Sequence, residues 1–104
     1  RWRCAVICGS ANNQLAEDAD GWRLHERGIL YAPDYAVNAG GVINIGCELD
    51  GPYSRERAYR KTERIAETLH QIFERSAATG QPPNLVSDEM AEEILNAGNR
   101  ALAA

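Results

Sequence analysis

Two short stretches combine residues suited to meeting a ligand. In Gly9-Ser10-Ala11-Asn12-Asn13, directly after an apolar run, Asn13 offers an amide with two donors and one acceptor oxygen. Such an amide can read a ribose hydroxyl, a carboxamide or an amino group, although asparagine also favours Asx-type turns for purely local reasons. In the second, Asn38-Ala39-Gly40-Gly41 precedes the apolar Val42, Ile43 and Ile45. Glycines there let the backbone approach something closely, and the first free N–H groups of a helix favour an electron-rich neighbour. A tight strand-to-helix turn accounts for the same glycines equally well.

Other chemistries find little support. The dinucleotide fingerprint G-x-G-x-x-G and a phosphate-cradling P-loop are both absent, so the phosphates of any nucleotide must be held elsewhere. The single lysine, Lys61, lies among Arg57, Arg60 and Arg64 and reads as a solvated surface residue. His25 and His70 read as surface residues too; no acid partner is evident beyond Glu26 beside His25, and hydrolase triads and proton shuttles gain nothing. Cys4, Cys8 and Cys47 form neither a C-x-x-C pair nor a disulfide framework. Cys4 and Cys8 share a strand face, where buried, inert thiols are expected, and neither histidine has ligand-like spacing to them, so no metal is expected. No catalytic residue is assigned.

The elements that must position the two stretches follow from periodicity. Cys4 to Cys8 is a short continuous apolar run, as in a parallel strand buried on both faces. Gln14 to Arg27 carries Leu15, Trp22 and Leu24 among polar residues and closes on Gly28, predicting one or two helical turns. Ile29 to Ala32 is a second strand, stopped by Pro33-Asp34. Strand, helix and strand imply a right-handed βαβ unit, the building block of doubly wound folds. Val42 to Leu49 predicts a largely buried helix. From Ser54, a good N-cap, to about Thr79, Ala58, Ile65, Leu69, Ile72 and Phe73 form one stripe with arginine and glutamate opposite. Gly80 and Pro82-Pro83 break that helix, and Ser87-Asp88-Glu89 starts a last one through Met90, Ala91, Ile94 and Leu95, with Gly98 near its end.

With 104 residues, 44% hydrophobic and 25% charged, the chain has the composition of one small globular domain. Its net charge of −4 is interspersed, with no basic stripe carrying aromatics, which argues against nucleic acid. No apolar run approaches the roughly 20 residues of a membrane helix, so a soluble, cytoplasmic protein is expected. A chain opening on Arg1, three residues before a strand-like run, reads as part of a longer protein.

The strings CGSANNQLAED, LHERGILYAPDYAVNAGGVIN, the Tyr-x-Arg-like PYSRERA and SDEMAEEIL occur in this order over nearly the whole chain. Together they resemble the C-terminal region of the leucine, phenylalanine and valine dehydrogenase group, leucine dehydrogenases in particular; GILYAPDY-x-x-NAGGVIN is specific to that group. The resemblance implies an α/β fold: the C-terminal part of a Rossmann-type NAD-binding domain followed by C-terminal helices that pack back toward a substrate domain. Residues 1–50 would supply the second half of the NAD-binding domain and residues 51–104 its terminal helices. The family's catalytic lysine, which activates water, would lie upstream; hydride passes from the amino acid's α-carbon to NAD, and the iminium hydrolyses to a 2-keto acid and ammonia. No membrane or nucleic acid is implied; the small-molecule amino acid is the partner, and the full-length enzyme is expected to be a homo-oligomer.

By the same resemblance, Gly9, Ser10, Ala11 and Asn13 would bind the cofactor, Asn13 near the nicotinamide ribose and the reacting substrate. Val42 and Ile45 would line the side-chain pocket, with Asn38, Gly40 and Gly41 forming its approach. A buried γ-carboxylate needs a polar partner that Ile45 does not offer where glutamate dehydrogenases place serine, which disfavours glutamate. Phenylalanine dehydrogenases resemble one another in a smaller residue at the Val42 position, so leucine, valine or isoleucine fits best. Gly46-Cys47 and Asp50-Gly51-Pro52-Tyr53 depart from the family pattern and could loosen the end of the helix or alter the pocket rim.

Overall fold

A computed structural model describes residues 3–103 as seven elements: β1 (Val6–Ile7), α1 (Ala19–Glu26), β2 (Leu30–Tyr31), α2 (Asp34–Val37), α3 (Gly40–Leu49), α4 (Arg55–Thr79) and α5 (Pro83–Ala103). The strands pair in parallel, Val6 opposite Leu30 and Ile7 opposite Tyr31. Leu30 N donates to Ala5 O and Ala32 N to Ile7 O, both at 2.9 Å. The expected strand, helix, strand unit is therefore present, with α1 as its crossover.

Burial of the first strand is not as expected. Val6 is half exposed, and the Cys4 and Cys8 thiols are exposed rather than buried; only Cys47 is enclosed. The reason is topological, because the sheet has only two strands among the described residues and β1 is an edge. The apolar run fits a central strand, but nothing described here covers its outer side.

The helices follow capping chemistry closely. Ser54 caps α4, its Oγ accepting from Arg57 N at 3.3 Å, and Gly80 ends the helix at φ 74°, a left-handed conformation that glycine adopts without steric cost. Along α4, Ala58 and Ile72 are buried and Ile65, Leu69 and Phe73 half-buried, which matches the predicted stripe. The last helix starts four residues before the expected Ser87, at Pro83. Proline's missing N–H is one of the unpaired donors of a first helical turn anyway, so the pair that terminates α4 also opens α5. Pro33 does the same for α2, a helix of four residues that the strand-stopping reading of Pro33-Asp34 did not anticipate.

Helix α3 begins two residues earlier than expected and is not largely buried: Val42 is 75% and Ile45 57% exposed, and Cys47 is its only fully buried residue. Gly46 and Cys47 do not loosen its end, since the helix runs on to Leu49 and Arg57 Nη2 of α4 donates to Cys47 O at 2.8 Å. The second half of α5, residues 91–103, is exposed throughout. The radius of gyration, 15.6 Å, exceeds the roughly 13 Å of a compact domain of this length. Fully buried side chains in the core include Tyr31, Cys47, Ile72 and Val86; Cys47 of α3 packs near the start of α4, where Arg57 reaches its carbonyl, and Ile72 lies about 20 Å further along that helix.

Two contacts hold this core in register. Gly21 of α1 lies so close to α5 that a Cβ there would fall 2.0 Å from Asn84 Oδ1. Asp34 is a buried carboxylate: its Oδ1 accepts from the Tyr31 hydroxyl at 2.7 Å and its Oδ2 from Asn13 N at 2.9 Å. Burial pushes the Asp34 carboxyl up, but the hydrogen bonds from Tyr31, Asn13 and neighbouring amides outweigh it and hold the group below its ordinary 3.8. Burial and the Asp34 hydrogen bond push Tyr31 up to about 12.

Gly21→Ala is expected to destabilise the protein by about 1–3 kcal/mol, read from urea unfolding, because helix α1 or the buried Asn84 side chain must shift. The lowered carboxyl of Asp34 contributes stability that is fully present above 3.8 and is lost as pH falls through the folded value. Asp34→Asn should thus cost about 1–3 kcal/mol at neutral pH. The gap to the wild type should narrow in urea titrations carried below pH 3.8; a gap independent of pH there would show that the carboxylate is not the stabilising species.

Candidate functional site

Both stretches singled out in the sequence sit at the C-terminal ends of the parallel strands, where open α/β sheets bind ligands. The turn of residues 9–13 follows β1; β2 runs through Pro33 into α2, whose end carries Asn38. Ser10, Ala11, Asn12 and Asn13 are exposed and Gly9 half-buried. A Cβ on Gly9 would lie 3.1 Å from Gln14 Nε2, which itself donates to Ala11 O at 3.0 Å and braces the turn from within.

Asn13 adopts φ 55°, the left-handed conformation that asparagine tolerates better than most side chains. Its backbone N–H is taken by Asp34, while its side-chain amide makes no hydrogen bond to another described residue and stays available at the surface. No Asx turn ties that side chain to the local backbone, so the left-handed backbone is the local reason for asparagine that remains.

The two stretches meet through Asn38, whose Nδ2 donates to Ser10 O at 2.7 Å and to Asn12 Oδ1 at 3.0 Å. The side chain expected at the approach to the substrate pocket is thus directed to the other turn. Gly40 and Gly41 follow in the first turn of α3. Neither has positive φ; a Cβ on Gly40 would make an ordinary 3.7 Å contact with Thr62 Cγ2, and one on Gly41 would meet open space. Neither a tight turn nor packing inside the chain therefore requires these glycines, although each costs about 1 kcal/mol against alanine in a helix. Val42 and Ile45 project from the same helix into solvent.

Asp34 and Tyr31 are not picked out by sequence reasoning, and Asn12 only as a member of its turn. The available signal was a carboxylate directly after Ile29-Leu30-Tyr31-Ala32-Pro33: an acid entering an apolar strand must be paired if buried. Behind the 9–13 turn a pocket of about 170 Å³ is lined by Asn13, Leu15, Tyr31, Asp34, Tyr35 and Asp88 among others. The Tyr35 hydroxyl lies 2.8 Å from Asp88 Oδ1 and 3.0 Å from Asn84 O, and burial together with the Asp88 contact raises its pKa. A larger groove between α4 and α5 is bordered by the exposed Arg75–Glu93 ion pair and carries no grouping suited to acid–base or nucleotide chemistry.

The residues set aside behave in three ways. Lys61 is exposed, 3.7 Å from Asp50 Oδ2, as a solvated side chain should be. His70 does have an acid partner, Glu74 at 3.1 Å one helical turn away, but both are exposed. His25 is half-buried against Trp22, edge to face at 6.1 Å. No group of three His, Cys, Asp or Glu side chains is placed to hold a metal among the described residues, and no described helix is long and apolar enough to cross a membrane.

The family model for glutamate/leucine/phenylalanine/valine dehydrogenase matches residues 1–100. The leucine dehydrogenase of Thermoactinomyces intermedius is 53% identical over 93 residues, covering 89% of this chain and 25% of that protein. The phenylalanine dehydrogenase of the same organism is 46% identical over 94 residues, covering 90% of this chain and 24% of that protein. Among solved structures, the L-tryptophan dehydrogenase from Nostoc punctiforme superposes with a TM-score of 0.85 at 39% identity, over 92% of this chain and 29% of that one. The chain thus spans about a quarter of the length of such relatives, and the resemblance read from its motifs holds over nearly all of it: the chain belongs to the glutamate/leucine/phenylalanine/valine dehydrogenase family.

Proposed function

We propose that this chain is the C-terminal part of the NAD-binding domain of an amino acid dehydrogenase acting on branched-chain L-amino acids. The observation that carries this reading is the meeting of the Asn13 turn with Asn38 at the carboxyl ends of two parallel strands, beside a helix whose start holds two glycines that packing does not require. Residues 1–50 form the second half of the dinucleotide domain and residues 51–104 its terminal helices.

The donor set suits the ribose and carboxamide end of NAD. The Asn13 amide is exposed and unengaged, and Gly9, Ser10 and Ala11 form the floor of its turn. The phosphates are held by residues outside this chain, since it has no glycine fingerprint. NAD, when bound, accepts the hydride from the amino acid's α-carbon. Asn13 orients the group that receives it, Asn38 fixes the turn, and Gly40 and Gly41 leave room for the substrate. Val42 and Ile45, unsatisfied apolar side chains in this chain, form one wall of the side-chain pocket. Products are the 2-keto acid and ammonia, with the lysine that activates water lying upstream. The full-length enzyme is a cytoplasmic homo-oligomer.

Specificity rests on the same two side chains. A glutamate γ-carboxylate against Ile45 would be buried without a partner. Leucine, valine and isoleucine differ by single methylenes, each worth about 1–3 kcal/mol, and all fit beside Val42. Phenylalanine is the competing substrate class, because a phenylalanine dehydrogenase is also closely similar to this chain.

The full-length protein is expected to reduce NAD with L-leucine, L-valine or L-isoleucine, followed by NADH absorbance, and to be far slower with L-glutamate. Absence of turnover with any aliphatic amino acid would reject the reading. The isolated 104-residue chain should give no turnover at all, and leucine-dependent NADH formation by it would show that the catalytic groups are not upstream. Val42→Ala should enlarge the pocket and shift the ratio of kcat/KM from leucine toward phenylalanine about tenfold; an unchanged ratio would remove Val42 from the pocket.

A further inference from the structure

Asn13 is exposed and left-handed, yet it lies at one corner of a closed ring of contacts. Ile7 pairs with Tyr31, the Tyr31 hydroxyl donates to Asp34 Oδ1, Asp34 Oδ2 accepts the Asn13 N–H, and the chain runs back from Asn13 to Ile7. With one oxygen held by Tyr31, the Asp34 carboxylate cannot turn away from Asn13. Four residues on, Asn38 reaches the same turn at Ser10 O and Asn12 Oδ1. Residues four apart share a helix face, and Asn38 N donates to Asp34 O at 2.8 Å, so the two contacts are linked by one helical hydrogen bond.

We propose that α2 is a two-point clamp on the turn of residues 10–13, with Asp34 and Asn38 as positioning residues that hold Asn13 in its left-handed, ligand-facing conformation. The proposal rests on reading that turn as the cofactor-facing one. Neither residue touches the cofactor; each acts through Asn13. Asp34 offsets the cost of the left-handed backbone by accepting from its N–H, and Asn38 fixes Ser10 and Asn12 earlier in the turn. Because α3 begins two residues after Asn38, the clamp also ties the cofactor turn to the helix bearing Val42 and Ile45. A substrate-pocket role for Asn38 is therefore replaced by one of registering the two halves of the site.

Chemistry distinguishes the clamp from simple core stability. In Asp34→Asn the charge that strengthens both contacts is lost, and the amide oxygen can accept from Asn13 N–H only if its NH2 turns to the Tyr31 hydroxyl, which must then accept rather than donate. Asn38→Ala removes the other point without touching a fully buried group. Ile72→Val, in α4 and outside the hydrogen-bonded ring, serves as a control that trims the core by one methylene.

The test measures amide hydrogen exchange over residues 9–15 and steady-state kinetics with NAD and L-leucine, using the full-length protein and these three variants. Asp34→Asn and Asn38→Ala should each speed exchange in the turn and raise KM for NAD by about tenfold, the scale of one lost hydrogen bond, while KM for leucine moves less than about twofold in Asp34→Asn and further in Asn38→Ala, which also frees the start of α3 from the turn. Ile72→Val should leave both readouts at wild-type levels. Turn exchange and NAD KM unchanged in both clamp variants, or altered equally by Ile72→Val, would overturn the clamp. Faster exchange with an unmoved NAD KM would overturn the positioning role. A wild-type protein that protects the turn yet neither binds nor reduces NAD would instead overturn the dehydrogenase reading, and with it the assignment of the turn to the cofactor.

Discussion

The Asp34 carboxylate is the constraint on which the upper edge of this structure depends. Taking a carboxylate out of water is unfavourable unless its oxygens are hydrogen-bonded, and here each oxygen has a defined donor, Tyr31 on one and Asn13 on the other. One donor lies on a strand and the other in the turn after the neighbouring strand, so satisfying the charge fixes the distance between two separate segments. The depressed carboxyl and elevated phenol both express the same preference for ionised Asp34 beside a protonated tyrosine. Asn38, carried on the same short helix, extends that constraint to Ser10 and Asn12. A two-stranded sheet alone would be a weak scaffold; the carboxylate makes its ends definite.

How legible this was from the sequence depended on whether the governing interaction was local. The long helix was readable at both ends because a serine cap and a left-handed glycine act within one turn of themselves. The strand pairing was readable because two apolar runs with a helical stretch between them leave few alternatives. The start of α5 is hidden in the sequence because Pro82-Pro83 reads as a terminator, while proline is equally fit for a first helical turn. Burial of Cys4 and Cys8 was misjudged for a different reason: continuous apolarity states what a strand tolerates, and only the neighbouring layer decides whether it is covered.

The candidate site shows the same division. The Asn13 turn and the Asn38 to Ile45 stretch were legible as unusual groupings, and motif resemblance gave their order. That Asn38 points back to the turn was not legible, since it depends on a 28-residue separation in sequence. Asp34 is inconspicuous in the sequence because a residue after proline at a strand end reads first as a turn former. Its placement next to a tyrosine three residues earlier could have signalled a buried pair, but only with the knowledge that α2 folds the carboxylate inward.

The features that look poorest for stability are concentrated where the family's chemistry would lie. Helix α3 opens with two glycines that its backbone angles do not need and then exposes Val42, Ile45 and Leu49. An isolated helix selected for stability would replace the glycines by alanine and the exposed branched residues by polar ones. Natural sequences depart from local consistency chiefly at sites of function, and here the departure spares the helix's anchored side, where Cys47 is enclosed and Arg57 holds its carbonyl. One face of α3 is thus fixed to α4 while the other is left apolar and open at the very point where Asn38 links it to the Asn13 turn. A helix so divided fits the pocket wall proposed for it, and the proposed clamp on the turn beside it would set where that surface begins.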